Sequence, residues 1–366
     1  MTADDIALTL QKGLGPKGIA HLLETFGDAA AIYAAGADAL MARCALREDI
    51  ARAIAAKATH KAAEEELRYM KRNGISAVAS TDSDYPPLLR ECPDYPHVLY
   101  YIGDAAAFGG RMLAMVGTRN ATQYGQRMCD RIVESLAATE PATTIVSGLA
   151  YGIDGAAHRA ALRCGVRTVA VTALPLPDIS PAQHRQLARD IADHGGAIAT
   201  ELHSRTRRNG AYFIPRNRII AGMCEGCVVV ESPQEGGSLS TAMLADGYGR
   251  TVMALPGRAD DKCSAGTNSL IIRRVAAMVC SGYDIARELG WDITTPGVIP
   301  SAAASQPQLT PDEQALLDCF GNGETLDMDQ LTERSGIAAG QMTALLLGLE
   351  LAGAVRLLPG RRYERS

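Results

Sequence analysis

Three stretches of this chain end an apolar, β-branched run in glycine and pass straight into a helix-favouring run. They are "VGTRNATQYG" (116–125), "TIVSGLAYGIDGAAHRAAL" (144–162) and "ESPQEGGSLSTAMLA" (231–245). A strand that hands over to a helix through glycine exposes backbone N–H groups at the helix N-terminus, where an anion can sit. The first turn offers Gly117, Thr118 and Arg119; the second Ser147, Gly148 and Gly152; the third Gly236, Gly237, Ser238 and Thr241. One such turn alone is weak, because tight turns use glycine for steric reasons. Three along one strand–helix alternation point to a shared anion-binding groove.

The segment "LHSRTRRNGAYFIPRNRIIAG" (202–222) carries charge suited to the same ligand: Arg205, Arg207, Arg208, Arg216 and Arg218, with no acid. A guanidinium can give a phosphate two hydrogen bonds at once. Tyr212 and Phe213 lie in the same run of a chain with only four phenylalanines. Arginine for the backbone and a ring face for a base are what a single-stranded nucleic acid needs. A buried Phe213 beside a solvated arginine face accounts for the same residues equally well.

Other constellations carry less. Cys224-Glu-Gly-Cys227 lacks the two further ligands of a tetrahedral zinc site, so no metal is expected, and Cys227 opens an apolar strand. Asp154 and His158 stand one helical turn apart and read as braces of the neighbouring loop, since no activated Ser or Cys accompanies them. The glycine turns do not give G-x-G-x-x-G and no G-x-x-x-x-G-K-[ST] occurs, which excludes a dinucleotide fingerprint and a P-loop.

These residues need a scaffold. At 366 residues the chain has room for two or three domains, and 47% hydrophobic with 21% charged residues is ordinary globular composition. A formal charge of −5 argues mildly against a nucleic-acid partner, but a partner feels the local patch and not the sum. The start "MTADDIALTLQKG" has acids where a secretory leader has Lys or Arg, and no apolar run is long enough to span a membrane. Nine cysteines without disulfide-like spacing fit a reducing compartment, so a cytoplasmic location away from the membrane is expected.

Residues 1–72 read as helical, including "GIAHLLETFG" and the long "EDIARAIAAKATHKAAEEELRYMKRNG" that Gly74 would stop. "GLGPKGIAHLLETFG" has the look of a helix-hairpin-helix or of a tight interhelical turn. A proline-punctuated segment follows, then strands "MLAMVG", "TTIVS", "RTVAVTA", "GAIATE", "GCVVVES", "RTVMALPG" and "AMVC", spaced by crossover helices. Near-continuous apolar strands in this rhythm mean an α/β fold with a mostly parallel sheet covered on both faces. Ligands bind such sheets at the carboxyl ends of the strands, where the glycine turns fall. The expected divisions are therefore a helical domain at 1–72, the α/β domain at 73–291, a Pro/Ala/Ser/Thr-rich linker at 292–308 and a tail at 309–366. The tail reads helix, helix, turn, helix, hairpin, the order of a winged helix-turn-helix, with "AVRLLPGRRYER" as its wing.

At this point the chain resembles the DNA-processing protein A (DprA, also called Smf) family over nearly its whole length. The marks are "DSDYPPLLRECPDYPHVLYYIG", "VGTRNATQYG", "SGLAYGIDGAAHRAAL", "FIPRNRIIAG", "VVVESPQEGGSLSTAMLA", "GRTVMALPG" and "GTNSLI", in that order. The resemblance implies an extended Rossmann-like domain, a sterile-alpha-motif-like front domain and a winged-helix tail. It implies a binding protein and not an enzyme: single-stranded DNA is held and shielded, and the RecA recombinase is loaded onto it during natural transformation. It further implies a homodimer and no nucleotide cofactor.

Residue by residue, Gly117 and Arg119 match the family's first glycine turn and its basic residue. Ser147, Gly148 and Gly152 match its phosphate-holding loop, and Gly237 and Ser238 lie in its Gly-Gly turn. Phe213 matches the aromatic placed to meet a base, followed by the triplet Arg216, Asn217 and Arg218. The run "ALPLPDISPAQHRQL" departs from the pattern: Ala173 and Pro175 replace glycines, Ser180 replaces a tyrosine and Ala182 is not basic, leaving Arg185 as a substitute charge. Gly247 stands where many relatives have Glu.

The rival reading is an enzyme of the phosphoribohydrolase-like Rossmann type, whose P-G-G-x-G-T-x-x-E motif also puts a Gly-Gly turn before a helix. Here "EGGSLSTAM" places Met243 where that glutamate belongs. A double-stranded DNA regulator is disfavoured by the near absence of Arg, Lys or Asn from "AAGQMTALLLGLELAG". The helix would serve protein contacts, or loose backbone contacts through Arg356, Arg361 and Arg362.

Overall fold

Apolar residues at helical spacing fold the N-terminal segment into six helices, α1 (Ala3–Thr9), α2 (Pro16–Phe26), α3 (Ala29–Ala34), α4 (Gly36–Cys44), α5 (Glu48–Ala55) and α6 (His60–Asn73). The computed structural model describes residues 1–291, 310–321, 324–351, 354–358 and 362–365. The expected linker at 292–308 lies outside the described residues. Gly74 stops α6 in a left-handed conformation, as expected. The long helical run does not hold, however: Lys57 takes φ +53 and the Thr59 hydroxyl donates to the Ala7 carbonyl at 2.8 Å. This tertiary contact outweighs helix propensity and divides the run into α5 and α6.

Strand β1 (Ser76–Ala79), helix α7 (Pro87–Arg90) and β2 (Val98–Gly103) lead into the alternating part. It runs β3 (Met112–Val116), α8 (Gln123–Thr139), β4 (Thr144–Ser147), α9 (Ile153–Arg163), β5 (Arg167–Val171), α10 (Arg185–Asp193) and β6 (Ala197–Thr200). It continues α11 (Phe213–Gly222), β7 (Gly226–Val229), α12 (Gly237–Gly247), β8 (Thr251–Ala254), α13 (Ala265–Ile272), β9 (Ala277–Met278) and α14 (Gly282–Glu288). The sheet order is β1-β2-β6-β5-β4-β3-β7-β8-β9. β1 with β2 and β2 with β6 are antiparallel; the remaining pairs are parallel. β1 escaped the sequence reading, because four residues of "SAVA" carry little strand signal.

Because side chains alternate along a strand, each strand serves two cores. Ala114 and Val116 of β3 pack with Ile219, Ile220, Ala242 and Ala245 of α11 and α12. Leu113 and Met115 pack with Ile132, Ala157 and Ala160 of α8 and α9 on the other face. The chain winds outward from β3 toward β6 in one direction and from β7 toward β9 in the other. The carboxyl ends of β3 and β7 therefore flank a crevice between helices of opposite faces, the position where open α/β sheets hold ligands. The N-terminal helices continue the second face: Ile6, Leu22, Ile54 and Met70 share one cluster with Val98, Tyr100 and Ile198 of β2 and β6.

The chain divides into two compact units, Met1–Thr294 and Thr295–Ser366. In the second, α15 (Pro311–Leu317), α16 (Met328–Ser335) and α17 (Ala339–Leu351) combine with β10 (Thr325–Asp327), β11 (Val355–Leu358) and β12 (Arg362–Arg365). Leu316, Leu331, Leu346 and Val355 form its core, and Asp327 with Gln330 makes a capping box at α16. The wing is the β11–β12 hairpin, as expected.

His158 shows how tightly the sheet face is closed. It is fully buried; Thr168 gives its proton to the Ile145 carbonyl at 2.8 Å, so the His158 Nδ1–H must donate to Thr168 Oγ1 at 2.7 Å. Burial, with nearby positive charge adding to it, pushes the imidazole down to about 3 from 6.5. Between these values the unfolded chain binds a proton that the native chain refuses, so stability falls as pH falls, by up to about 1.4 kcal/mol per pH unit. Urea unfolding of wild type and His158→Asn across this window is expected to show wild type losing more stability on acidification. Parallel pH profiles would contradict the assignment.

Candidate nucleic-acid interface

The crevice at the ends of β3 and β7 begins with a close approach of two backbones. Thr118 N donates to Glu231 O at 2.7 Å, and Ile153 N donates to Thr118 O at 3.1 Å. Gly152 has φ +75, and a Cβ there would lie 2.2 Å from Thr118 O and 2.5 Å from Arg119 O. At Gly117 a Cβ would meet Ile153 at 2.4 Å and Glu231 O at 2.8 Å. Both glycines are thus needed for the first two turns to touch. Glu231, which sequence reasoning passed over, is buried and accepts from Thr122 N at 2.8 Å and Thr122 Oγ1 at 2.6 Å. It fixes the loop that carries Arg119.

A cleft of about 300 Å3 opens here, lined by Gly117, Arg119, Asp154, Phe213, Arg216, Asn217, Gly237 and Ser238 among others. Arg119 is exposed and, among the described residues, has no acid partner; its guanidinium lies 5.7 Å from the Phe213 ring centroid. Phe213 is half-buried at the start of α11, and the next residue, Ile214, is 67% exposed. Ring and cation together form a surface that can take a base and its phosphate. An exposed cation–π contact is worth only about 0.5–1 kcal/mol, so an incoming ligand can displace it.

Arg216 has a different task. It is buried, donating through Nη1 to Gly148 O at 2.8 Å and to Val171 O. It ties α11 to the ends of β4 and β5. Burial pulls it down to about 10, while Asp154 pushes the other way. The buried Asp154 carboxyl is raised by desolvation, which the Arg216 charge opposes. Gly148 makes room for this arrangement: a Cβ would lie 2.8 Å from both Arg216 Nη2 and Asp154 Oδ2. Asn217 accepts from Arg216 Nε at 3.3 Å and donates to Ser240 Oγ at 3.4 Å.

Several expected phosphate contacts are redistributed. Ser147 is buried and its hydroxyl donates to Met115 O at 2.6 Å, so it and Gly148 stand behind the cleft rather than in it. Two amides of this second loop are already engaged, Ile153 N with Thr118 O and Ala150 N with Asp154 Oδ2 at 3.3 Å. The more open helix N-terminus is that of α12. Its cap, Gly236, makes no side-chain hydrogen bond, its first turn holds no acid, and nothing lies within 4 Å of a Cβ on Gly237. Ser238 donates to Ser232 Oγ at 3.0 Å.

The five-arginine run also sorts itself. Arg205 pairs with Glu65, Arg208 with Asp178 at 2.6 Å and Arg218 with Glu201. Arg207 is exposed and has no acid partner among the described residues. Arg185, the substitute charge of the altered turn, is exposed at the start of α10. Cys224 and Cys227 are buried; burial lifts the Cys224 thiol well above its ordinary value and the Cys227 thiol to about 12. They are neutral core residues. Asp154 and His158 do not meet: one borders the cleft, and the other faces Thr168.

A family model, DNA recombination-mediator protein A, matches residues 76–290, and the DprA winged helix domain matches residues 300–361. The chain belongs to the DNA recombination-mediator protein A family. Protein Smf of Escherichia coli is 34% identical over 307 residues, covering 82% of this chain and 80% of that one. DNA processing protein DprA of Bacillus subtilis is 36% identical over 224 residues, 61% of this chain and 74% of the relative. The X-ray structure of Streptococcus pneumoniae DprA superposes with a TM-score of 0.66 at 29% identity, covering 79% of this chain and 98% of that one. The Helicobacter pylori DNA processing protein A, described for its single-stranded DNA binding mode, gives 0.53 at 26% identity, covering 60% and 98%. Family membership agrees with the extended sheet and with the winged-helix fold of the tail. Among the described residues no helix is long and apolar enough to cross a membrane, and no cluster of three or more His, Cys, Asp or Glu is placed to hold a metal ion.

The different tasks of the two arginines can be measured. Arg216→Ala leaves two buried carbonyls without their charged donor and is expected to cost about 3 kcal/mol in urea unfolding, the order expected for losing hydrogen bonds to a charged group. Arg119→Ala, at an exposed site, should stay within about 0.5 kcal/mol of wild type. Equal costs would refute the division into brace and contact.

Proposed function

We propose that this chain binds single-stranded DNA across the cleft between the ends of β3 and β7, shields it, and loads the RecA recombinase onto it as a homodimer in the cytoplasm. The observation that carries the DNA reading is Arg119 beside Phe213, a cation without an acid partner among the described residues and next to a partly exposed ring, at the mouth of a crevice that α12 enters by its N-terminus. Arg119 and the first-turn amides of α12 take phosphates, and Phe213 with Ile214 takes a base. Gly117 and Gly152 set the loop, and Arg216, Arg218 and the Ser147–Gly148 corner hold it in place. Such contacts tolerate any sequence and weaken with salt. The binding mode described for the Helicobacter pylori relative supports this reading, and membership in a recombination-mediator family supports RecA as the recipient. The cleft is read as a binding surface that requires no nucleotide cofactor.

Fluorescence anisotropy with labelled oligo-dT across a salt series tests it. Arg119→Ala is expected to weaken binding and to flatten the log–log salt slope by about 0.7, one phosphate's share on a single strand. Phe213→Ala should weaken binding roughly ten-fold with the slope unchanged, as one lost base–aromatic stack. Wild-type affinity in both variants would move the DNA elsewhere. Release of free base from nucleoside monophosphates, abolished by changes in this cleft, would favour the phosphoribohydrolase reading.

A further inference from the structure

A second cleft, of about 510 Å3, adjoins the first and shares Arg119 with it. Its polar lining is Arg119, Asn120, Gln126, Tyr151 and Arg159, with no acid, whereas Asp154 and Glu235 border the first cleft. Arg159 is exposed on α9 and, like Arg119, has no acid partner among the described residues. The contrast with Arg205, Arg208 and Arg218, all paired, marks these two guanidiniums as available.

Tyr151 is the aromatic of this cleft, and its position is fixed. It is 45% exposed, yet its hydroxyl donates to Gln183 Oε1 at 2.6 Å and its ring meets His184 edge-on, with centroids 5.4 Å apart. His184 is itself buried, in hydrogen-bonding contact with Leu149 O at 2.9 Å. The backbone on either side is confined, with Leu149 at φ +60 and Gly152 at φ +75. A ring immobilised from beneath and left open to solvent has little entropy to lose when a flat ligand stacks on it.

We infer that Tyr151 and Arg159 form a second nucleotide subsite, and that a single strand leaving Phe213 crosses Arg119 and stacks its next accessible base on Tyr151. Arg119 then lies between two stacking rings, with Arg159 holding the phosphate beyond it. This subsite rests on the single-strand reading of the first cleft and extends its path over the start of α9. It gives the altered run "ALPLPDISPAQHRQL" a role independent of the missing glycines: Gln183 and His184 within it support Tyr151.

The test uses the full chain and labelled oligo-dT. Tyr151→Ala is expected to weaken binding roughly ten-fold, one stacking contact, while Tyr151→Phe, which keeps the ring and loses only the bond to Gln183, should bind like wild type. Arg159→Gln should flatten the salt slope. In Tyr151→Trp the new indole should be quenched by oligo-dT, with wild type, whose single tryptophan Trp291 is buried, as the control. Wild-type binding by Tyr151→Ala without quenching in Tyr151→Trp would overturn the subsite. So would a loss in Tyr151→Phe equal to that in Tyr151→Ala, which would mean that the hydroxyl only anchors the loop. Quenching by thymidine monophosphate but not by oligo-dT would also overturn it, as a site for free nucleotide. If wild type fails to bind oligo-dT, the reading of the first cleft falls as well; if Arg119→Ala responds and the Tyr151 variants do not, only the subsite falls.

Discussion

The cleft depends on a backbone contact. Thr118 O receives Ile153 N at 3.1 Å, and Gly152 lies against Thr118 and Arg119 with no space for a methyl group. This contact brings the loops after β3 and β4 together, and Glu231 at the end of β7 holds the same loop through Thr118 N and Thr122. Three strand ends are thereby locked into one rim. Arg119 then projects from a fixed backbone, and only its side chain must be ordered on binding. Fixing a backbone residue costs about 1–2 kcal/mol, so this order, already met in folding, favours a weakly specific ligand.

Charge on this rim follows a division of labour set by burial. Arg216, inside the fold, is satisfied by two carbonyls and by the field of Asp154, and its removal would leave both carbonyls without their donor. Arg119 and Arg159, at the surface, have no acid partner among the described residues. Arg205 and Arg208 are intermediate cases: their pairs with Glu65 and Asp178 are exposed, and such pairs contribute about 0–1 kcal/mol. The formal charge of −5 is no obstacle to an anionic ligand, because the described residues lining the second cleft include two arginines and no acid.

Much of this was legible in the sequence. Near-continuous apolar strands gave the parallel sheet, and the first two glycine turns fell at strand ends because the handovers there leave no room for a side chain at Gly117, Gly148 or Gly152. Arg119 and Phe213 could be singled out because each belonged to a local pattern. What escaped depends on partners distant in the chain. Nothing near Arg218 or Arg205 announces Glu201 or Glu65, and nothing in "TIVSG" says that the Ser147 hydroxyl turns toward Met115. Tyr151 was passed over because one tyrosine in a glycine loop has no periodicity; only its exposure and its supports distinguish it. Glu231 left a faint trace, an acid closing an apolar strand, which a reader alert to buried caps could have followed.

The shared core of the N-terminal helices and the sheet sets the smallest piece of this chain that can keep its shape. Val98, Tyr100 and Ile198 share one buried cluster with residues of α1 to α6, and Asp5 Oδ1 meets His97 Nε2 at 3.1 Å, with His97 Nδ1 at 2.8 Å from Ser80 Oγ. Cutting the chain before β1 would uncover an apolar sheet face and strand a buried histidine. Within the first unit, the helices form the missing wall of the α/β core, and a gene fragment that begins at the sheet begins in the middle of a hydrophobic interior.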